Sequence, residues 1–136
     1  MSNTDEYTER RRHQRFLARR GDNPCFWVEL DGSRFPLNDV SLEGFSAPTP
    51  IPLQPGQEFA FALRIEGIPD RIRGRAKAVN EVPNGEGSLI GCSFLTLDGT
   101  GTEDLKEWLT AHVISLASVR ISAAEAEAIV QGPSLI

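Results

Sequence analysis

The middle of the chain alternates hydrophobic and polar residues, a pattern that predicts β-strands. The alternation is clear over residues 26–30, 59–65 and 72–78. Successive side chains of a strand point to opposite faces of the sheet, so each stretch has one face for a core and one for solvent. The residues predicted to face the core are Phe26, Val28, Leu30, Phe59, Phe61, Leu63, Ile65, Ile72, Gly74, Ala76 and Ala78.

Turn-forming residues separate the predicted strands. Asp31-Gly32 is a strong signal for a two-residue hairpin, because such a turn needs positive φ angles. Pro83-Asn84-Gly85 predicts a second turn, before a last strand over residues 88–97. The proline-rich stretch 48–55 predicts a loop. Several short strands followed by a helix predict a small antiparallel barrel or sandwich with the helix packed on it.

After the last strand, the pattern changes to one that is typical of helices. Over residues 105–116, apolar residues recur at the i, i+3, i+4 and i+7 positions of a helix that lies on a core. Thr100 and Glu103 have the spacing of a capping box at its start. Ser122 and Glu125 have the same spacing and predict a second, short helix near the C-terminus.

Length and composition indicate a single globular domain. The chain has 136 residues, of which 40% are hydrophobic and 24% charged, values that are ordinary for a protein with its own core. Cys25 and Cys92 are too few for a disulfide framework, which favours a reducing compartment. The polar start does not resemble a signal peptide, and no apolar stretch is long enough to cross a membrane. We therefore expect a cytoplasmic protein with no membrane insertion.

The sequence contains none of the motifs that mark common catalytic or metal sites. It has no GxxxxGK, GxSxG or HExxH pattern, and its only histidines are His13 and His112. His112 lies on the predicted apolar face of a helix, so it is interpreted as a core residue. The two cysteines are interpreted as small buried residues. We therefore expect no enzymatic activity, no catalytic residue, no metal and no cofactor.

Arginines are concentrated near the N-terminus. Residues 9–20 read ERRRHQRFLARR and contain six of the 14 basic residues of a chain whose net charge is -5. A local cluster in an acidic protein favours a discrete anion over a long polyanion, so nucleic acid is not the expected partner. The arginine fork binds a phosphate or a guanine edge through two parallel hydrogen bonds. The alternative is a disordered basic tail with no specific role.

A second informative stretch, residues 39–44, reads DVSLEG. Taken alone, it is interpreted as a loop in which Asp39 or Ser41 binds its own backbone. In that interpretation Gly44 provides a backbone conformation that other residues avoid. The functional interpretation depends on the arginines that precede this stretch.

Together, the two stretches resemble the RxxxR … [D/N]xSxxG signature of PilZ domains, which are bacterial receptors for cyclic di-GMP. Residues 91–97, GCSFLTL, are similar to the closing strand of that family, and a predicted helix follows here as it does there. The resemblance extends over roughly residues 9–117, and every signature position is filled. The matching residues are Arg11, Arg15, Asp39, Ser41 and Gly44.

The resemblance implies a mainly β fold: a small six-stranded antiparallel β-barrel with a C-terminal α-helix and a flexible, arginine-rich N-terminal segment. It also implies a division of the chain into parts. The expected parts are a disordered lead (1–8), the PilZ domain (9–117) with its ligand-binding segment (9–20), barrel (24–97) and helix (101–117), and an extension with a short helix (118–136).

The ligand that the resemblance implies is cyclic di-GMP, which carries two guanines and two phosphates. The Asp39 carboxylate can accept hydrogen bonds from the N–H donors of a guanine Watson–Crick edge, and Ser41 can donate one to the ligand. Gly44 has no Cβ, so its backbone can approach the ligand closely. Arginines suit guanine O6 and N7 or the phosphates. An arginine just before RxxxR, as at Arg10, resembles family members that take up an intercalated ligand dimer. The arginines expected to bind the ligand are Arg10, Arg11, Arg12 and Arg15.

The resemblance also implies a ligand-gated switch. Binding would order the arginine segment, and an unidentified downstream protein would recognise the changed surface. Two alternatives remain open: a PilZ-like adaptor that does not bind the nucleotide, and a small barrel that binds single-stranded nucleic acid.

A row of basic residues on a predicted strand has two interpretations. It is either a solvated face paired with Glu58 or Glu81, or an extension of the ligand site or a partner contact. The row consists of Arg71, Arg73, Arg75 and Lys77.

Overall fold

The computed structural model describes residues 13–117 and 120–133 of the chain. In these ranges the fold is mainly β, with ten strands and two helices. The strands are β1 (Phe16–Leu17), β2 (Arg19–Arg20), β3 (Asn23–Pro24), β4 (Phe26–Leu30), β5 (Ser33–Pro36), β6 (Asp39–Val40), β7 (Gly44–Pro48), β8 (Glu58–Ile65), β9 (Ile72–Asn84) and β10 (Gly87–Leu97). The helices are α1 (Gly101–Leu116) and α2 (Ala123–Gln131).

Eight strands form one antiparallel sheet in the order β1-β6-β7-β10-β9-β8-β4-β5, while β2 and β3 form a separate pair. Six of the eight have four residues or more, namely β4, β5, β7, β8, β9 and β10. The Asn38 N–H, just after β5, donates to the Ser46 carbonyl oxygen in β7 (2.8 Å) and so links one end of the sheet back towards the other. The sheet curls into a half-barrel, and the predicted mainly β antiparallel fold with a C-terminal helix is confirmed.

The buried face of the sheet is the one that the alternation predicts. All eleven residues predicted to face the core are buried, and the side chains of Phe26 and Leu63 are fully inaccessible to solvent. Aromatic rings fill the inside of the curl, where the centroids of Phe61 and Phe94 are 5.5 Å apart and those of Phe45 and Phe61 are 6.1 Å apart. Burial of this apolar face drives the sheet to close around one core.

The first predicted turn is confirmed, and the second lies later in the chain. Asp31 and Gly32 have φ angles of 49° and 83°, as a two-residue turn with two positive φ angles requires, and they join β4 to β5. In the second hairpin, β9 includes both Pro83 and Asn84, so the turn is Gly85-Glu86. Gly85, with a φ of 63°, provides the positive φ there.

Helix α1 packs on the sheet through Leu105, Trp108 and Leu109, all of which are buried. Its predicted capping box is absent, because Thr100 occupies the N-cap position without a capping hydrogen bond. The Thr100 backbone (φ -88°, ψ 18°) is not extended as an N-cap residue usually is. Its hydroxyl instead donates to Asp104 Oδ2 (2.9 Å), so that prediction was wrong.

Helix α2 begins with the predicted capping box and lies against α1. Ser122 Oγ accepts from the Glu125 N–H, and Glu125 Oε1 accepts from the Ser122 N–H, both at 3.1 Å. The side chains of Ala126 and Val130 are fully buried. Among the residues that the structure describes, no helix is long and apolar enough to span a bilayer.

The basic row that begins at Arg71 lies exposed on the outer face of the sheet. Arg71 Nε lies 2.7 Å from Glu29 Oε1 on β4. Across the described part of the chain, neither Glu58 nor Glu81 lies within ion-pair distance of the row, although Glu58 is directly opposite Lys77 in the β8–β9 register. In the register of the sheet, Ala62 of β8 lies between Glu29 and Arg73.

Candidate functional site

The pairing of β1 with β6 joins the two sequence motifs. Phe16 pairs with Val40 in antiparallel register. Continued by one residue, this register brings Arg15, which is exposed, opposite Ser41, which is buried. The end of the arginine motif therefore lies beside the DxSxxG motif at one edge of the sheet.

The structure describes four of the seven residues that were predicted to bind the ligand. These four lie together at the β1–β6–β7 edge, and they are Arg15, Asp39, Ser41 and Gly44. The other three, Arg10, Arg11 and Arg12, lie outside the described residues, so their roles stay predictions.

Residues 41–43 form the loop of a hairpin between β6 and β7. Ser41 Oγ accepts a hydrogen bond from the Glu43 N–H (3.0 Å), and the Ser41 N–H donates to the Gly44 carbonyl oxygen (2.9 Å). The interpretation of this stretch as a loop in which Ser41 binds its own backbone is thus confirmed. These bonds do not use the hydroxyl proton of Ser41, so the side chain keeps one donor.

Gly44 is required by the close approach of β10. A Cβ at this position would overlap the carbonyl oxygen of Cys92. The φ of Gly44 is not positive, so the expectation of an unusual backbone conformation was wrong. Packing against β10 is sufficient to explain the glycine, and an approach of its backbone to a ligand stays a prediction.

We expect Gly44→Ala to lower the free energy of unfolding by about 1–3 kcal/mol, the usual cost of forcing an extra methyl group into a packed site. Gly87→Ala is the matched control, because a Cβ at Gly87 in β10 would have no neighbouring atom nearer than 4.0 Å. Urea denaturation measures both variants. If Gly44→Ala is as stable as Gly87→Ala, β10 moves away at no cost and the packing explanation is wrong.

Asp39 has a carboxylate oxygen with no hydrogen-bond partner. Its Oδ2 accepts from Asn38 Nδ2 (3.3 Å), whereas Oδ1 is buried and has no partner among the described residues. Leaving a buried acceptor without a donor costs about 1–3 kcal/mol, and more for a charged group. Such atoms are rare in folded proteins, so Asp39 carries an acceptor that the described residues leave without a donor.

His13 and Glu43 form a second connection between the two motifs. The backbone N–H of His13 donates to Glu43 Oε1 (2.6 Å), although the residues are thirty positions apart. His13 lies within RxxxR, and Glu43 occupies a variable position of DxSxxG. Sequence reasoning missed both residues. The only available signal was an acidic residue inside a motif that is expected to bind an anion.

His112 belongs to the core, as predicted, and contacts the backbone of β1. Its side chain is fully buried, its Nε2 lies 2.6 Å from the Leu17 carbonyl oxygen, and its Nδ1 lies 3.8 Å from Cys25 Sγ. Burial lowers the pKa of His112; the Leu17 hydrogen bond opposes this effect and the charge of Arg20 adds to it.

The two free thiols, Cys25 and Cys92, are both buried. Burial raises the pKa of both, that of Cys92 to about 12, so neither cysteine is a ready nucleophile.

The stability of the protein should fall as the pH drops below about 6.5, the ordinary pKa of histidine. The folded-state pKa of His112 is lowered, so as the pH falls the unfolded chain takes up a proton before the folded protein does. Below that pH, proton uptake stabilises the unfolded state relative to the folded one, and the free energy of unfolding decreases. His112→Gln keeps a donor for Leu17 but cannot titrate. Its free energy of unfolding should therefore depend less on pH between about 7.5 and 5.5.

Urea denaturation across this pH range compares His112→Gln with the wild type. His13→Gln is the control, because His13 is not buried in the core. The same pH dependence in His112→Gln and the wild type would contradict the role of the buried imidazole.

Two clefts on the described surface are lined by residues outside the two motifs. One cleft of about 390 Å³ lies beside α1 and the turn after β8, and its lining includes Arg20, Asp70, Arg71, Asp104 and Trp108. Ser41 and Gly44 are buried, Asp39 is half-buried and Arg15 is exposed.

The comparisons with known proteins agree with this fold. The sequence matches the PilZ domain family profile over residues 9–111. This is well over half of the chain, which therefore belongs to the PilZ domain family, and the predicted resemblance is confirmed. PilZ is a family of receptor and adaptor domains, not a family of enzymes. No curated protein sequence matches the chain.

Three solved structures are similar to the chain. YcgR from Escherichia coli, in complex with c-di-GMP, has a TM-score of 0.59 and 23% sequence identity. The match covers 76% of this chain and 46% of the YcgR chain, so this chain spans about half the length of YcgR. The uncharacterized Legionella protein Lpg0364 has a TM-score of 0.54 and 16% identity, over 74% of this chain and 94% of its own. The Bacillus subtilis inhibitor of motility MotI/DgrA has a TM-score of 0.51 and 10% identity, over 62% of this chain and 44% of its own. At these identities the structures support the fold alone.

Proposed function

We propose that the protein binds cyclic di-GMP between its RxxxR and DxSxxG motifs. The observation that carries this proposal is the β1–β6 register, which brings Arg15 beside Ser41 in a chain of the PilZ family. The proposal is supported by the buried Asp39 Oδ1, which has no partner among the described residues. It is also supported by the similarity to YcgR, whose structure is a complex with c-di-GMP.

The chemistry of the grouped side chains suits a guanine nucleotide. The Watson–Crick edge of guanine carries N1–H and N2–H₂ donors, which are complementary to the free oxygen of Asp39. Guanine also carries O6 and N7, a pair of acceptors that the fork of Arg15 binds through two parallel hydrogen bonds. Ser41 offers a hydroxyl donor for a phosphate or guanine oxygen. Together these groups provide both the acceptors and the donors that the ligand needs.

The arginines before His13 add positive charge for the phosphates. Arg10, Arg11 and Arg12 complete the proposed set of cations. Two stacked ligands would bring four phosphates, so the additional cation at Arg10 favours an intercalated dimer of cyclic di-GMP. Each phosphate that pairs with an arginine gains a charge-assisted hydrogen bond, which is stronger than a neutral one.

Binding acts as a switch in this proposal. The ligand draws the arginine side chains of this segment together beside the β6–β7 loop, and a downstream protein in the cytoplasm recognises the resulting surface. The energy for this step comes from charge-assisted hydrogen bonds between arginines, phosphates and guanines. The protein then transmits the concentration of the nucleotide to its partner without catalysing a reaction.

Chemical-shift mapping tests the location of the site. Adding cyclic di-GMP to ¹⁵N-labelled protein should move the backbone amide signals of Arg15, Asp39, Ser41 and Gly44. The amides of Gly85 and Glu86, in the turn at the other end of β10 from the Ser93–Gly44 pair, are the internal control and should not move. Shifts confined to the basic row on β9, with none at the motif residues, would show that the nucleotide binds elsewhere and would contradict the proposal.

A further inference from the structure

Three distant parts of the chain meet at His13. Its backbone N–H donates to Glu43 Oε1 (2.6 Å) in the β6–β7 loop. Its ring nitrogen Nδ1 lies 3.2 Å from the carbonyl oxygen of Gln131, the last residue of α2. His13 also lies between Arg11 and Arg15 of the first motif. One residue of the proposed ligand site is therefore in contact with both the second motif and the C-terminal helix.

The end of α2 is chemically suited to this contact. The last carbonyl groups of a helix have no partner within the helix, and they form the negative end of its dipole. The last turn of α2 contains no basic residue of its own that could interact with them. A carbonyl oxygen can only accept a hydrogen bond, so the contact with Gln131 requires a proton on His13 Nδ1. His13 provides the donor that the helix end lacks.

Helix α2 is held firmly enough to serve as a support. Ala126 and Val130 are fully buried, and both belong to the core of the protein. Lys106 Nζ on α1 lies 3.2 Å from Glu127 Oε1 on α2, which adds an ion pair between the two helices. The capping box at Ser122 fixes the start of the helix. The position of the Gln131 carbonyl is therefore set by packing on α1.

We propose that α2 and Glu43 are positioning elements of the ligand site, which hold the arginine segment at His13 in place for the nucleotide. This inference rests on the proposed function. A segment that is already held loses less conformational entropy when the ligand binds, so affinity increases without any direct contact between α2 and the ligand. The family profile ends at residue 111, before α2 begins, so α2 lies outside the part of the chain that the profile matches.

The experiment undocks α2 in the full-length chain. Val130→Asp places a charge at a fully buried position of the helix, whereas Ile129→Asp introduces the same charge at its 39%-exposed neighbour. Two quantities are measured for each variant. The first, without nucleotide, is the rate of tryptic cleavage after Arg15. The second is the affinity for cyclic di-GMP.

We expect Val130→Asp to accelerate cleavage after Arg15 and to weaken nucleotide binding about tenfold, a change of about 1.4 kcal/mol. Ile129→Asp should behave like the wild type in both measurements. Identical behaviour of the two variants would overturn the proposal. Tighter binding by Val130→Asp would also overturn it, since α2 would then obstruct the site and not support it.

A second pair of variants covers the case in which Val130→Asp does not fold. Glu43→Ala removes the acceptor of the His13 N–H, while Glu43→Gln keeps an oxygen at the same place. Glu43→Ala should give the faster cleavage and the weaker binding, and Glu43→Gln should stay close to the wild type. If the wild type itself does not bind cyclic di-GMP, the proposed function fails, and the cleavage rates alone still decide whether α2 and Glu43 position the segment.

Discussion

Arg15→Ala is expected to lose most of the affinity for cyclic di-GMP. Hydrogen bonds to charged groups contribute about 1.5–3 kcal/mol, so removal of the guanidinium should cost about 2 kcal/mol or more, roughly thirtyfold in the dissociation constant. Arg15 is exposed and forms no ion pair within the described residues. Its removal should therefore leave the free energy of unfolding unchanged, and the loss would reflect binding alone.

Two matched variants make the result for Arg15 specific. Arg19→Ala removes an exposed arginine of the same segment that is outside the motif, so its affinity should be close to that of the wild type. Arg15→Lys keeps the charge but loses the planar fork, and most of the affinity should be lost with it. Isothermal titration measures all three variants. Equal affinities for Arg15→Ala and Arg19→Ala would sink the assignment of Arg15 to the site.

Asp39→Asn is expected to weaken binding while it stabilises the free protein. The variant keeps the shape of the side chain but removes a buried carboxylate whose Oδ1 has no partner among the described residues. Removing this unpaired charge should raise the free energy of unfolding, and losing the acceptor for guanine should cost about 1–3 kcal/mol of binding energy. Function and stability are thus expected to oppose each other at this residue.

Urea denaturation and isothermal titration of Asp39→Asn measure the two effects separately. Asp70→Asn is the control, since Asp70 is exposed in the turn between β8 and β9, and it should change neither quantity. A variant that is less stable than the wild type would show that the unpaired carboxylate does not destabilise the free protein. Unchanged binding would show that its free oxygen does not contact the ligand.

The strands were predictable because the alternation of hydrophobic and polar residues follows directly from which side chains are buried. One face of β4, β8 and β9 packs on the core, and the sequence of each strand carries that requirement at every second residue. The Asp31-Gly32 turn and the Ser122 capping box were also predictable, because each is determined by two to four neighbouring residues. The failed capping box at Thr100 has the same sequence spacing. There the chain leaving β10 sets a backbone conformation that spacing alone does not reveal.

The candidate site was predictable as a set of residues but not as an arrangement. The motif spacing identified Arg15, Asp39 and Ser41, whereas the reason for Gly44 came from β10, nearly fifty residues later in the chain. The contacts of His13 with Glu43 and Gln131 depend on elements that only the fold brings together, at separations of 30 and 118 residues. No local pattern encodes such contacts, because each partner is an ordinary residue of its own element.

Calorimetric titration of the protein with cyclic di-GMP decides whether the chain is a receptor for this nucleotide. GTP and linear pGpG are the controls, because they carry guanine and phosphate without the cyclic arrangement. We predict binding of the cyclic compound alone, at micromolar or lower dissociation constant, and a ratio near two ligands per chain would support the role of Arg10. No heat with cyclic di-GMP, or equal binding of linear pGpG, would show that the protein is not a specific receptor for the cyclic nucleotide.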